Sequence, residues 1–212
     1  MPPLDAARAL TAVDRVADAV RDEILSGALP SDAPLREEAA AERYGVSRHT
    51  VRAAFQRLVA ERLAVAMPYR GVRVASFDRP TILALQQLRA ALEVEAVRIA
   101  GERFGSEWPD AAVAPMREAL ARLEASADWL DAERIHAEFH RAIVAASASP
   151  RIIEAHTALG SELLLFLLHV RPHYTIESLV AEHRELLDAV QRRGPDAIRE
   201  HLEHSTRLLL GG

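Results

Sequence analysis

The chain has 212 residues, 50% of them hydrophobic and 27% charged, with a formal net charge of −5 and no cysteine. That apolar content is enough for two small packed domains, and the lack of cysteine excludes disulfide frameworks, thiolate zinc sites and cysteine nucleophiles. The N-terminal MPPLDAARAL has no basic flank ahead of an apolar core, and no run approaches the ~18 apolar residues of a membrane span; no leader and no membrane partner are expected, and the expected location is cytoplasmic.

Along the chain, Val13, Val16, Ala17, Val20 and Ile24 recur at helical spacing until SGALPSDAPL breaks the helix with a glycine and two prolines. A second helix is expected over Arg36 to Tyr44, stopped by Gly45, and Ser47 stands where it can cap a third. In that third helix Val51, Ala54, Phe55 and Leu58 form one apolar stripe, while Arg48, His49, Arg52 and Gln56 face outward. LAVAMPYRGVRVAS then changes period, with short β-prone runs around PYRG that predict a two-stranded hairpin. Three helices and a hairpin make a winged helix-turn-helix over residues 1–75. SFDRP, residues 76–80, reads as a linker whose proline opens a new helix. From 81 to 212 the period is helical throughout, in about six segments joined by short connections, which predicts an all-α bundle. The fold class expected is mainly α, with the β-hairpin confined to the wing.

The third helix has the parts that major-groove reading requires. A short turn precedes it, an apolar face holds it to its domain, and polar side chains crowd its N-terminus, where arginine pairs bidentately with guanine and the helix end favours phosphate. An ordinary amphipathic surface helix with solvated arginines carries the same pattern. The charge is uneven, and the first part is the less acidic: residues 1–75 hold 11 Arg against 10 acidic residues, and residues 76–212 hold 15 against 21, a difference that a solvated mixed surface also shows.

LREEAAAERYGVSRHTVRAAFQRL, with ILSGALPSDAPL before it and RGVRV after it, resembles the N-terminal domain of GntR-type bacterial transcription regulators. The resemblance covers about residues 13–75. It implies DNA contacts from Ser47, Arg48, His49, Thr50 and Arg52, with Gly71 at the tip of the wing. Many members have Thr-Pro where this chain has His49 and Thr50, which leaves the operator sequence open, and SDAP stands where a Pro-Gly turn is common.

Histidine is concentrated in the second part: eight of the nine lie at positions 136, 140, 156, 169, 173, 183, 201 and 204. His136 and His140 are four apart and project from one helix face, as paired metal ligands require, and His183 with His201 or His204 lies on two later helices of the same bundle. Imidazole suits zinc, nickel, copper or iron better than calcium or magnesium. Taken singly, each of these residues also reads as a surface histidine or a satisfied core one.

QLRAALEVEAVRIA, AEFHRAIVAASASPRI and AEHRELLDAV resemble the helical effector domain, called FCD, of the FadR subfamily of those regulators. The resemblance implies a divalent transition metal, zinc or nickel first, held by His136, His140, His183 and one histidine of the last helix. His136 stands where the family has Asp, which leaves open an all-histidine site, a changed metal preference or a lost ligand. Family spacing points to His204, on which the reading leans, and the local phrase AIREHL points to His201. The resemblance also implies a small effector, a carboxylate foremost, bound beside the metal with Arg89 as a charge-assisted partner; an i, i+4 surface ion pair with Glu93 is the alternative role for Arg89. His156, His169 and His173 are lesser candidates for the cavity wall.

The reading expected is therefore a ligand-responsive transcription regulator, not an enzyme. It binds a double-stranded operator as a homodimer, with repression as its default. Two alternatives stand beside it. A metal-dependent enzyme on the bundle is the first, but HAEFH fails as a zinc-hydrolase motif because Ala137 occupies the place of the general-base glutamate. The second is a DNA-binding protein whose helical domain only dimerises.

Overall fold

A capping box opens the first helix, α1 (Ala12–Leu25): Thr11 Oγ1 accepts from the Asp14 amide at 3.1 Å, and the Asp14 carboxylate accepts from the Thr11 amide at 2.9 Å. The computed structural model describes residues 10–76 and 78–210, and the chain falls into two units, residues 1–76 and 77–212. Residues 1–9, on which the expectation of no leader rests, and Phe77 of the expected linker lie outside the described residues.

In the first unit α1 is followed by β1 (Pro34–Leu35), α2 (Glu37–Tyr44), α3 (Arg48–Ala60), β2 (Ala64–Met67) and β3 (Gly71–Val74). Gly45 ends α2 in the left-handed region, φ 63°, so the chain reverses into α3 within three residues. The predicted stripe holds that helix in place: Val51, Ala54, Phe55 and Leu58 are each at most 2% exposed, and α3 packs against α1, whose Val16, Val20 and Ile24 are also buried. The hairpin is formed by β2 and β3, with Met67 opposite Gly71. The sheet also has a third strand that was not expected, since β1 pairs with the other edge of β3, giving the order β1-β3-β2. Two residues are too few to show alternation, and Pro34 reads as a breaker in sequence. It is tolerated because the strand lies at the sheet edge, where a missing N–H is no loss.

The second unit is helical: α4 (Arg79–Phe104), α5 (Asp110–Glu124), α6 (Trp129–Ala145), α7 (Pro150–Ala158), α8 (Gly160–Val170), a single 3₁₀ turn, α9 (Ile176–Arg193) and α10 (Pro195–Leu210). Asp78 caps α4, accepting from the Thr81 amide at 3.0 Å, so the helix takes the last two residues of the expected linker. PRIIEAHTALGSELLLFLLHV, whose apolar spacing reads as one of the six expected helical segments, is two helices. They are bent by 50° at Leu159–Gly160, where the Leu159 amide bonds to the His156 carbonyl in a tightened turn and glycine follows. Among the described residues no single helix is long and apolar enough to cross a membrane.

Two apolar clusters fill this unit. One gathers Val97, Met116, Leu123, Phe139, Ile143 and Ile198, and the other gathers Ile82, Leu85, Leu163 and Phe166. Both draw on α4, whose buried stripe is polar between them: Gln86, Arg89 and Glu93 are at most 5% exposed. Polar groups in the middle of a buried stripe need partners, and those partners form the site.

Candidate functional site

The N-terminus of α3 presents an array of exposed side chains. Ser47 Oγ accepts from the Thr50 amide at 3.1 Å and lies 2.9 Å from Thr50 Oγ1, which fixes the first turn. Arg48, His49 and Arg52 are exposed beyond it, and Gly71 is exposed at the wing turn with φ 78°, a conformation that favours glycine. Both arginines are paired within the unit: Arg52 forks onto Glu37 at 2.9 and 2.7 Å, and Arg48 pairs with Glu38. Glu37 and Glu38 had no assigned role in the sequence. Exposed pairs of this kind are worth about 0–1 kcal/mol, so a phosphate or a guanine edge can displace them at small cost. In the meantime they neutralise arginines that would otherwise repel one another.

In the helical unit, α6 and α9 bring His136, His140 and His183 together. Their ligand nitrogens all lie within 4.8 Å of one another, and the three residues are at most 4% exposed. His183 Nδ1 donates to the Leu179 carbonyl at 2.7 Å and His140 Nδ1 donates to Glu93 Oε2 at 2.9 Å, so in each ring Nε2 is the bare acceptor. Those two Nε2 atoms face each other at 3.3 Å, and His136 Nε2 lies 2.7 Å from His183 Nε2. One proton on His136 Nε2 satisfies a single bare nitrogen and leaves its own Nδ1 without a partner, as observed. Converging lone pairs, orphaned atoms and ring nitrogens fixed from behind by a carbonyl and a carboxylate are what a transition metal ligated by histidine requires.

The electrostatics agree. Burial pushes all three imidazoles below their ordinary range, with the neighbouring rings adding to the effect for His136 and His183, and His140 falls to about 3 even though Glu93 pulls it upward. They are therefore neutral at physiological pH, the form that binds metal. Burial opposes ionisation of Glu93, but Arg89, His140 and His156 outweigh it and hold the carboxyl well below the usual range. Glu93 accepts from Arg89 Nε at 2.6 Å, from His140 and from His156 Nε2 at 3.0 Å. The Arg89–Glu93 pair anticipated from sequence is thus present but buried, and it braces a histidine of the cluster from behind.

On the last helix it is His201 that meets the cluster. Its ring stacks on His140 with centroids 5.3 Å apart, stands 4.8 Å from His183, and is oriented by Glu182 at 2.9 Å. His204, towards which family spacing leaned, is exposed. The apolar stripe of α10 carries the reason: Ala197, Ile198, Leu202 and Ser205 are buried, and position 201 falls within that stripe whereas 204 falls off its edge.

A cavity opens beside the cluster, lined on its polar side by Arg89, Glu133, His136, His183 and His201. Trp129, Phe166, Leu167 and Leu179 form its apolar wall, and exposed Arg171, over the Trp129 ring at 5.5 Å, also lines it. Glu133 is 2% exposed, its Oε1 has no hydrogen-bond partner, and burial raises its carboxyl to about 7 against the pull of Arg171 and Arg134. Sequence reasoning missed it, although it stands one turn before His136 on the same helix face. Of the lesser candidates, His156 is buried on Glu93, His169 donates Nδ1 to the Leu165 carbonyl at 2.8 Å, and His173 is exposed; none lines the cavity.

Comparison with known proteins gives a consistent picture. Residues 12–74 match the model of the bacterial regulatory proteins of the gntR family, and residues 84–207 match that of the FCD domain. The chain is 28% identical over 194 residues, 92% of its length and 85% of the relative's, to a probable D-xylose utilization operon transcriptional repressor of Paenarthrobacter nicotinovorans. It is 33% identical over 144 residues, 66% of its length and 65% of the relative's, to the HTH-type transcriptional repressor GlaR of Escherichia coli. Among solved structures, a putative transcriptional regulator GntR from Rhodococcus sp. RHA1 superposes with a TM-score of 0.77 at 27% identity, covering 94% of this chain and 98% of that one.

Proposed function

The chain belongs to the GntR family of bacterial regulatory proteins, in the group that carries an FCD domain, and on that premise we propose that it is a metal-dependent, ligand-responsive repressor. Its family is one of DNA-binding regulators rather than enzymes, and Ala137, in the place where a zinc hydrolase needs its glutamate, agrees with that.

In this reading two copies bind a roughly two-fold symmetric operator, each presenting α3 to a major groove. Ser47, Thr50 and the helix N-terminus meet phosphate, Arg48, His49 and Arg52 reach base edges and backbone, and the turn at Gly71 lets the wing approach the duplex. Repression follows the names of the two repressor relatives.

The observation that carries the metal half is the convergence of three buried, neutral imidazoles with two bare Nε2 atoms face to face. His136, His140 and His183 would hold zinc or nickel, with His201 beside them and His204 outside. Bound there, the ion would supply a Lewis-acidic partner for a carboxylate oxygen. Arg89, which uses Nε on Glu93, has two further guanidinium nitrogens for the same anion. An effector acts on DNA binding only so far as it binds one arrangement of the dimer better than another.

Elemental analysis of the purified chain beside His140→Ala and His183→Ala tests the metal site. About one transition metal per chain, lost in both variants, is the expected result. Equal metal content in all three proteins contradicts the assignment. A helical domain that merely dimerises is the second reading, and the orphaned nitrogens of the cluster argue against it.

A further inference from the structure

Glu133 is the buried polar group left without a role by the metal cluster and the DNA-reading helix. Its neighbours on α6 are assigned: His136 and His140 to the cluster, Phe139 and Ile143 to the core. Glu133 lines the cavity, is 2% exposed, and its Oε1 meets no donor. Arg134 and Arg171 are close enough to act on it through their charge, yet neither satisfies that oxygen. It is also not among the ligand atoms that converge within 4.8 Å, which belong to the three histidines. A buried acceptor kept unpartnered in a cavity wall is a group waiting for a donor from outside the chain.

We infer that Glu133 is the specificity-determining residue of this cavity, accepting a hydrogen bond from a hydroxyl of the effector, so that the ligand is a small hydroxycarboxylate. The inference rests on the reading of the site as one for carboxylates. Glu133 and His136 are three apart on α6, and side chains so placed start on the order of 5 Å apart on one face. A ligand whose carboxylate lies at the histidine and Arg89 end therefore brings a hydroxyl to Glu133 when the two groups are separated by only a few bonds. The wall formed by Trp129, Phe166 and Leu179 receives its carbon skeleton. A carboxylate without the hydroxyl leaves Oε1 orphaned, as it is now, and forfeits that bond.

The test uses zinc-loaded full-length protein and matched pairs of probes that differ by one hydroxyl: propionate and lactate, butyrate and 3-hydroxybutyrate, succinate and malate, glutarate and 2-hydroxyglutarate. Affinities are measured by titration calorimetry for wild type, Glu133→Leu and Glu133→Gln, with zinc content determined for each. In wild type the hydroxylated member of at least one pair binds about tenfold or more tightly. That preference falls to about one in Glu133→Leu and is partly kept in Glu133→Gln, which retains an acceptor oxygen, while zinc content is the same in all three. Carboxylates that bind wild type without hydroxyl preference, or a preference that survives in Glu133→Leu, overturn the inference and leave the carboxylate site standing. Loss of zinc in Glu133→Leu overturns it by making Glu133 a ligand of the metal. If no probe of either kind binds the zinc-loaded protein, the carboxylate reading fails and takes this inference with it.

Discussion

At the scale of single residues, the helical unit carries two groups of buried titratable side chains whose effects on stability run in opposite directions with pH. His136, His140 and His183 are held neutral, His140 with a value of about 3, whereas in the unfolded chain each protonates near 6.5. The unfolded state therefore binds more protons below that point, so the stability these residues contribute is whole above pH ~6.5 and is lost as pH falls towards their folded values. Glu133 has the opposite sign. Its carboxyl is raised to about 7, so stability is whole below its ordinary value of 4.5 and is lost as pH rises through the folded one. Glu133→Gln should raise the unfolding temperature of metal-free protein, and the gain over wild type should be larger at pH 8, on the order of 2 kcal/mol, than at pH 5. An equal gain at both pH values contradicts this. The three histidines were visible in the sequence because i, i+4 spacing within a helical stretch and the family phrases around FH and EHR mark them. Glu133 and Glu93 were not, because a carboxylate on an amphipathic helix ordinarily reads as solvated, and only the packing of α4 against α6 shows that both are enclosed.

At the scale of elements, the parts that follow a period were legible and the parts set by tertiary contact were not. The stripe of Val51, Ala54, Phe55 and Leu58 located α3, and Gly45 and Ser47 located its start. The edge strand β1 depends on a partner distant in the chain, and the bend between α7 and α8 comes from the tightened turn at Leu159 and Gly160; neither leaves a periodic trace. His201 shows that a local stripe can outrank a spacing rule: one turn of α10 separates it from His204, and burial of Ile198, Leu202 and Ser205 decides between them. Two outcomes follow for α3. Ser47→Ala removes a cap that satisfies the Thr50 amide and should cost about 1 kcal/mol of stability, read from urea unfolding of the full chain. Arg48→Ala should leave stability within about 0.5 kcal/mol, because it breaks only an exposed pair with Glu38, yet weaken operator binding by about 1–3 kcal/mol and relax base preference. Unchanged operator affinity in Arg48→Ala would remove α3 from its assigned role.

At the scale of the whole molecule, the net charge of −5 gave no hint of a DNA-binding protein, and its uneven distribution between the two parts proves nothing alone, since a solvated mixed surface looks similar. The acidic excess belongs to the helical unit. In the first unit Arg48 and Arg52 are paired with Glu38 and Glu37; if operator phosphates take the place of those carboxylates, the counterions they release should make binding weaken as salt rises. Coupling between the units is the claim on which the functional account depends, and it requires that metal and ligand alter operator affinity together. The direct measurement is operator affinity for zinc-loaded wild type and His183→Ala at fixed salt, with the operator recovered by selection from random duplexes, and with and without the tightest-binding carboxylate. The carboxylate is expected to weaken operator binding by wild type about tenfold, on the scale of a 1.4 kcal/mol coupling, and to leave His183→Ala unaffected. The same ligand effect in both proteins, or none in either, contradicts the coupling.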